Sequence, residues 1–308
     1  MIAIVSAPTN LGLRPPVPGS VPGTAKAPEA LREAGLHRRL LDRGAVEAGV
    51  VLPGRYVDDD GSRPTGTIRN QSAIVAHARR LASRLVELRR AGHVPLVLGG
   101  DCSLLVAAGL ASRSLRQSAE TAPGGLVHID GHTDFRHPGN SGEIGSLAGE
   151  DLAAAIGLHL PGVADVDGLG PYFDATATVH VGHREDDEHA DEVLSRIARV
   201  VPARDVSRRG GRSVAQGIRA VDALANGYWI QVDVDVLDPS SMPAVDSPDP
   251  GGLTPDDLVA LLRGLAPAAW GAAVTVFDPD LDPDGRYARL LVDVIIDGLG
   301  ELGDAHRA

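Results

Sequence analysis

The sequence predicts an α/β protein: a three-layer, doubly wound, mostly parallel sheet with helices on both faces. Short apolar, β-branched runs alternate with longer amphipathic runs along the 308 residues, which is the pattern of successive βα units. Three of the short runs, ending near Leu98, Ile129 and Val232, lead directly into acidic or glycine-rich residues, and functional residues of open α/β sheets gather at the carboxyl ends of strands. Neither a repeat nor a linker interrupts the pattern, so one domain over residues 1–308 is expected.

Taken in order, Met1 to Val5 reads as the first strand. The Pro/Gly-rich loop from Pro8 to Pro22 follows, and connections of that length inside a domain are uncommon unless they serve a function. A helix is expected from about Ala27 to Asp42, Val50 to Val57 is ambiguous, and Asp58 to Pro64 is a loop. Gln71 to Arg90 has helical periodicity and stops at Ala91-Gly92, a usual carboxyl-terminal signal. Val94 to Leu98 reads as a buried strand, Leu104 to Leu115 as a helix and Gly125 to Ile129 as a strand. The loop Phe135 to Gly145 leads to a helix near Gly149 to Ile156. Thr178 to Gly182 is a strand, Glu188 to Arg199 and Gly210 to Ala223 are helices, and a strand surrounds Trp229. Thr254 caps the next helix, with Pro255 at its first position and Asp256 and Asp257 in its first turn, a combination favoured at helix starts. Val274 to Phe277 is the last strand and Tyr287 to Leu299 the closing helix.

With 43% hydrophobic but only 3% aromatic residues, the core must be built mainly from Leu, Val, Ala and Ile. The formal net charge of -12 argues against a nucleic-acid partner and against an anionic membrane surface. One cysteine excludes an internal disulfide. No apolar run approaches the ~20 residues of a membrane span, and no basic stretch precedes the first apolar run as in a secretion signal. A cytoplasmic location is the expectation.

The chemistry centres on His128-Ile-Asp-Gly-His-Thr-Asp134. Continued as extended chain, this run places Asp130, His132 and Asp134 on one face. In Tyr228 to Pro239, Val232, Val234 and Val236 alternate with Asp233 and Asp235. Unpaired carboxylates on a buried strand cost roughly several kcal/mol each, and a cation is the simplest remedy. Together the two runs favour a shared polynuclear metal site. A third piece, Gly99-Gly-Asp-Cys-Ser103, follows the Val94 strand. A lone cysteine elsewhere is a small buried hydrophobe; its place in this run makes Cys102 a candidate ligand.

These three elements, in this order and at these separations, resemble the ureohydrolase family of arginase, agmatinase and formimidoylglutamase. That family carries Gly-Gly-Asp-His-Ser, Asp-Ala-His-x-Asp and Ser-x-Asp-x-Asp-x-x-Asp-Pro. Ser247 to Thr254 and Gly23 to Leu36 extend the likeness over nearly the whole chain. The resemblance implies an arginase-like fold and two Mn²⁺ per subunit. Asp130 and Asp233 would bridge the ions, with Cys102 and Asp134 completing one site and His132 and Asp235 the other. Most of the family has histidine in place of Cys102. A thiolate biases that site toward zinc, cobalt or iron, so one ion, or a softer one there, is the alternative. The implied activity is amidine hydrolysis: a hydroxide bridging the metals attacks the guanidino carbon of arginine or an N-hydroxyarginine-like compound. Asp235 would pass the proton to the departing amine. The alternatives are formimidoylglutamase-type hydrolysis of an acidic substrate and a non-catalytic binding relative. Family likeness also implies a homo-oligomer, trimeric or hexameric.

Three regions depart from arginase. The loop after the second motif keeps Asn140 and Ser141 as substrate contacts but lacks the family's proton-shuttling histidine, leaving His137, Glu143 or Glu150 as candidates. Aligned on Pro279, the family's guanidinium-pairing glutamate falls at Val276. Asp278 lies two residues on, and either pairs with the substrate cation or opens the turn at Pro279. Arg136 resembles a formimidoylglutamase residue able to bind a carboxylate. Asp187 sits where the family contacts the substrate's amino end, and Ser247 is placed to meet the reacting group.

Overall fold

Eight runs of the chain assemble into one sheet in which every neighbouring pair is parallel. The computed structural model describes residues 1–118 and 124–306. The strands are β1 (Ile2–Ala7), β2 (Val46–Val50), β3 (Val94–Gly99), β4 (Gly125–Ile129), β5 (Thr178–Val181), β6 (Arg199–Val201), β7 (Tyr228–Asp233) and β8 (Ala269–Thr275). Their order is β2-β1-β3-β8-β7-β4-β5-β6. The last two strands of the chain therefore enter the middle of the sheet, and the ends of β3, β8, β7 and β4 stand side by side.

Alternation along each strand divides the interior into two cores. Ile2, Ile4, Leu96, Leu98, Val127 and Ile129 face one layer, which includes helices Pro255–Leu265 and Arg286–Gly298. Ala3, Val5, Val97, Leu126 and Trp229 face the other, which includes helices Gln71–Arg90 and Leu104–Ser118. These are the expected three layers. Trp229 and Trp270, with ring centroids 4.7 Å apart, fill the second core where small aliphatic side chains leave space. Among the described residues no helix is long and apolar enough to cross a membrane.

Several boundaries differ from the sequence reading. The helix expected over 27–42 is two, Ala27–Glu33 and Leu36–Leu41, because Gly35 adopts a φ of 95°, a conformation costly to other residues. Likewise Gly210, at φ 79°, separates Ala203–Arg209 from Gly211–Arg219, so the Gly210–Ala223 helix is shorter and has a predecessor. The Glu188–Arg199 segment is a helix only over Ala190–Arg196, and its tail becomes the edge strand β6. The helix expected near Gly149–Ile156 is a 3₁₀ turn, Leu147–Gly149, followed by Asp151–Ala155. In the ambiguous region the strand is β2, ending where Val50 to Val57 begins. Its half-exposed Val-Glu-Ala-Gly-Val sequence carries no apolar run to signal it. The last strand lies earlier than expected, at Ala269–Thr275. Thr254 does cap the following helix, its hydroxyl accepting from the Asp257 N–H at 3.1 Å.

Candidate functional site

The three motifs leave the sheet at the ends of β3, β7 and β4, with β8 between the first two, but they do not continue as strands. β4 stops at Ile129, and Asp130 to Asp134 coils back: Asp130 Oδ1 accepts the His132 N–H at 2.7 Å and Asp134 takes a φ of 46°. β7 stops at Asp233, whose Oδ1 accepts the Asp235 N–H at 2.9 Å and so caps the single 3₁₀ turn Val234–Val236. The expected pleat alternation is thus replaced by two aspartate-capped turns, which bring the side chains toward one spot. Cys102 arrives between the end of β3 and helix Leu104–Ser118.

The side chains meet closely. The Cys102 thiol donates to Asp233 Oδ2 at 2.6 Å, and its sulfur lies 3.5 Å from Thr275 Oγ1. His132 joins two carboxylates, with Nδ1 3.0 Å from Asp235 Oδ2 and Nε2 3.0 Å from Asp249 Oδ2. Asp235 also accepts the Gly131 N–H at 3.0 Å. Donor atoms of Cys102, Asp130 and Asp233 lie within 4.8 Å of one another, and so do those of Asp130, His132 and Asp235. Asp130 belongs to both groups. Cys102 and Asp134 belong to a third, with Asp151.

Charge is badly balanced in this cluster. Burial first, and then neighbouring carboxylates, push Asp130, Asp134 and Asp233 well above the usual carboxylate range. Burial and Asp233 likewise raise the Cys102 thiol. Burial opposes protonation of His132, but Asp235, Asp130 and Asp249 outweigh it and raise its pKa to about 11. Asp130 Oδ2 is buried with no hydrogen-bond partner. Several acids and a thiol around one imidazole, with an orphaned carboxylate oxygen, are a donor set that fits divalent cations.

The cluster opens into a cleft of about 950 Å³ through His132, Asp134, Asp233 and Asp235, while Cys102 and Asp130 are buried. Arg136, Asp187, Ser247 and Asp278 line it, as do His132, Asp134, Asp233 and Asp235. Two of these are already engaged. Asp187 accepts from the Thr133 N–H and hydroxyl at 2.8 and 2.7 Å. Asp278 accepts the Gly23 and Asp280 N–H groups at 3.1 and 2.9 Å, which is the turn role. Val276 lies on the cleft wall with a φ of 74° and offers no carboxylate.

His137, Asn140, Ser141 and Glu143 do not line the cleft. Asn140 folds its own loop, accepting the His137 N–H at 2.8 Å and donating to Phe135 O and Glu192 Oε2, each at 2.9 Å. His137 Nε2 lies 3.3 Å from Glu192 Oε1, Ser141 Oγ accepts the Glu143 N–H at 3.1 Å, and Glu143 is exposed. Glu150 is buried as a clamp, Oε1 accepting the Gly145 and Ser146 N–H groups at 2.7 and 3.0 Å while Oε2 lies 3.0 Å from His159 Nε2.

Sequence reasoning missed Asp246, Asp249, Asp151 and Arg184. Asp246 is open to the cleft yet ringed by protein, and that surrounding together with Asp235 raises its carboxyl to about 7. Only the density of acids in the Pro243 to Pro250 loop hinted at it. Arg184 is buried and donates to the carbonyls of Asp235 and Asp249 at 2.8 Å, and to those of Leu237, Gly182 and Val236 at 3.3–3.4 Å. It ties the end of β5 to the turn that carries Asp235. Arg184→Ala leaves several buried carbonyls unpaired and is expected to destabilise the protein by about 3 kcal/mol or more. Thermal melting should show a fall of roughly 6–12 °C. Arg184→Lys should recover little, since one ammonium cannot reach carbonyls spread over a fork. A melting point within about 2 °C of the parent for Arg184→Ala would remove this role.

Comparison with known proteins gives the following. The family model described as "Arginase family" matches residues 2–300. The chain is 28% identical over 301 residues to the arginase of Agrobacterium fabrum, covering 94% of this chain and 88% of that one. It is 30% identical over 274 residues to the N(omega)-hydroxy-L-arginine amidinohydrolase of Streptomyces lavendulae, covering 86% of this chain and 89% of that one. The native structure of the arginase from Bacillus caldovelox has a TM-score of 0.82 at 25% identity, over 97% of this chain and 98% of that one. Matched over nearly its whole length, and with that family's ordered motifs at the ends of β3, β4 and β7, the chain belongs to the arginase family.

Proposed function

We propose that this chain is a metal-dependent amidinohydrolase that cleaves a carbon–nitrogen bond of a guanidino compound bearing a carboxylate, in the manner of arginine or N-hydroxyarginine. As a member of its family it is a hydrolase of carbon–nitrogen bonds in linear amidines. The observation that carries the finer reading is the pair of donor groups joined at the buried Asp130, which reach the cleft through His132, Asp233 and Asp235. Cys102, Asp130, Asp134 and Asp233 would hold one ion, and Asp130, His132, Asp233 and Asp235 the other. Two divalent ions supply a water acidified to near neutrality and polarise the bound substrate. The oxygen-rich set suits Mn²⁺, while the thiol draws its side toward softer ions.

The chain's own groups supply the rest. Although buried, Asp235 is held below the usual carboxylate range by His132 and the Gly131 N–H. As a metal ligand it would be ionised, and its carboxylate could take a proton from the attacking water and return it to the departing nitrogen. The acidic wall at Asp246 suits an amidinium, and Arg136 suits a carboxylate. Val276, standing where a guanidinium-pairing glutamate is expected, favours one second reading: a formimidoyl acid, which needs no such partner.

The test is mass-spectrometric consumption of a mixed pool by the Mn²⁺-loaded protein: arginine, N-hydroxyarginine, agmatine, guanidinobutyrate, guanidinopropionate and formimidoylglutamate. Loss of a carboxylate-bearing compound is expected, and agmatine, which has none, should survive. For the compound consumed, Arg136→Ala should raise KM roughly 10- to 100-fold and leave kcat nearly unchanged, the loss of one charged hydrogen-bonding partner. If every compound survives with metal bound, the non-catalytic reading replaces this one.

A further inference from the structure

Asp151 lies outside the six residues that family likeness nominates for the metals, yet it reaches the same centre. It opens the short helix Asp151–Ala155, and its side chain is fully buried. Neither carboxyl oxygen has a hydrogen-bond partner. His128 Nε2 stands 3.3 Å from Oδ1 and 3.6 Å from Asp130 Oδ2, and it and the Leu152 N–H offset only part of the cost of burial. Its donor atoms lie within 4.8 Å of those of Cys102 and Asp134. An acid whose burial is only partly offset is costly to keep, and packing alone would be served as well by an amide or an aliphatic side chain.

His128 does not remove that cost. Its Nδ1 lies 2.9 Å from Nδ1 of His180, so the two rings share one proton there, and His128 Nε2 has no aligned partner. Burial and the neighbouring histidines hold His180 neutral. A His128 N–H at Nε2 can meet only one of the two Asp151 oxygens. A carboxyl oxygen of Asp151 also lies within 4.8 Å of donor atoms of Cys102 and Asp134.

We propose that Asp151 is an additional ligand of the ion on the Cys102 side, one carboxylate oxygen binding the metal and the other taking the His128 Nε2 proton. This rests on the metal-centre reading above and deepens it. The consequence concerns which ion is chosen. A thiolate alone favours softer, four-coordinate ions; an added carboxylate raises the oxygen count and the coordination number, which returns the site to Mn²⁺. Cys102 and Asp151 thus act as a compensating pair, the acid offsetting the softness of the thiol.

The test uses the full chain, stripped with chelator and titrated with Mn²⁺, with bound ions counted by plasma mass spectrometry. The parent is expected to hold two ions. Asp151→Asn should keep one and bind the other at least about 100-fold more weakly, since even residues that only orient ligands are worth roughly 10–100-fold. With Co²⁺, the thiolate-to-metal charge-transfer band reports occupancy beside Cys102, and in Asp151→Asn it should need correspondingly more cobalt to appear. Stripped Asp151→Asn should melt above the stripped parent, because a buried charge is gone. Asp151→Glu, which keeps the charge, should retain both ions but shift the d–d bands of Co²⁺. Two equally tight ions in Asp151→Asn with an unchanged cobalt spectrum overturn the proposal, as do unchanged bands in Asp151→Glu should Asp151→Asn fail to fold. A parent that takes up no ion overturns the metal-centre reading itself.

Discussion

Asp130→Asn is expected to leave a folded protein with turnover lowered by well over 100-fold, because outer residues that merely orient metal ligands already cost roughly 10–100-fold. Metal content should fall from two ions to at most one per chain. The reason is position. Asp130 belongs both to the group with Cys102 and Asp233 and to the group with His132 and Asp235. Oδ1 shapes the turn by accepting the His132 N–H, and the amide oxygen of asparagine can keep that bond. Oδ2 is the buried, unpartnered atom, and in the variant an NH₂ group that repels cations takes its place. Backbone geometry should therefore survive while the shared donor is lost. Steady-state kinetics and metal analysis on the same preparation check this; near-normal turnover with two ions bound would end the dinuclear mechanism.

Stripping the metal should make stability strongly dependent on pH, in the direction of acid stabilisation. Asp130, Asp134 and Asp233 are raised in the folded chain by burial and by one another, and Asp246 is raised to about 7. A raised carboxyl binds its proton more tightly folded than unfolded, so its contribution is fully present below the unfolded value of about 4 and is lost as pH climbs through the folded value. His132, raised to about 11, acts in the same sense above about 6.5. Asp235 is lowered and acts oppositely, its contribution being present above about 4 and lost as pH falls. His37, His77, His180 and His183, lowered by burial, also act oppositely below about pH 6.5, so the net slope is downward between about pH 6.5 and 9, where only the raised acids and His132 titrate. Melting of chelator-treated protein across that range should show a steady fall. Mn²⁺ at 100 times its dissociation constant should add about 2.7 kcal/mol per site near neutral pH. The gain should shrink in acid, where the ligands are protonated. A flat profile without metal would mean that the acids are compensated from within the chain.

The catalytic candidates divide by how local their signals are. The convergence of Cys102, Asp130, His132, Asp134, Asp233 and Asp235 was legible because each sits within a few residues of the apolar run that becomes its strand. The proton-shuttle candidates were not. His137 and Glu143 lie in a Gly/Pro-rich loop whose path has no periodicity to read, Glu150 follows the 3₁₀ turn beyond it, and in the fold their side chains turn toward Glu192, solvent and His159 respectively.

By itself the sequence determined the α/β class, the three ordered motifs and their position at strand ends, because strand–helix alternation and metal-ligand spacing are properties of short runs. Tertiary structure alone decided four things. It set the order that brings β8 and β7 between β3 and β4, and it converted two supposed extended runs into aspartate-capped turns. It buried Arg184 against five carbonyls, and it brought Asp151 within reach of Cys102 and Asp134. Apart from the turns, whose capping bonds span two residues, each depends on contacts between residues far apart in the chain, such as Arg184 with Asp235 or Cys102 with Asp233. Such contacts form only when the sheet closes, and no local pattern of hydrophobicity or turn residues encodes them.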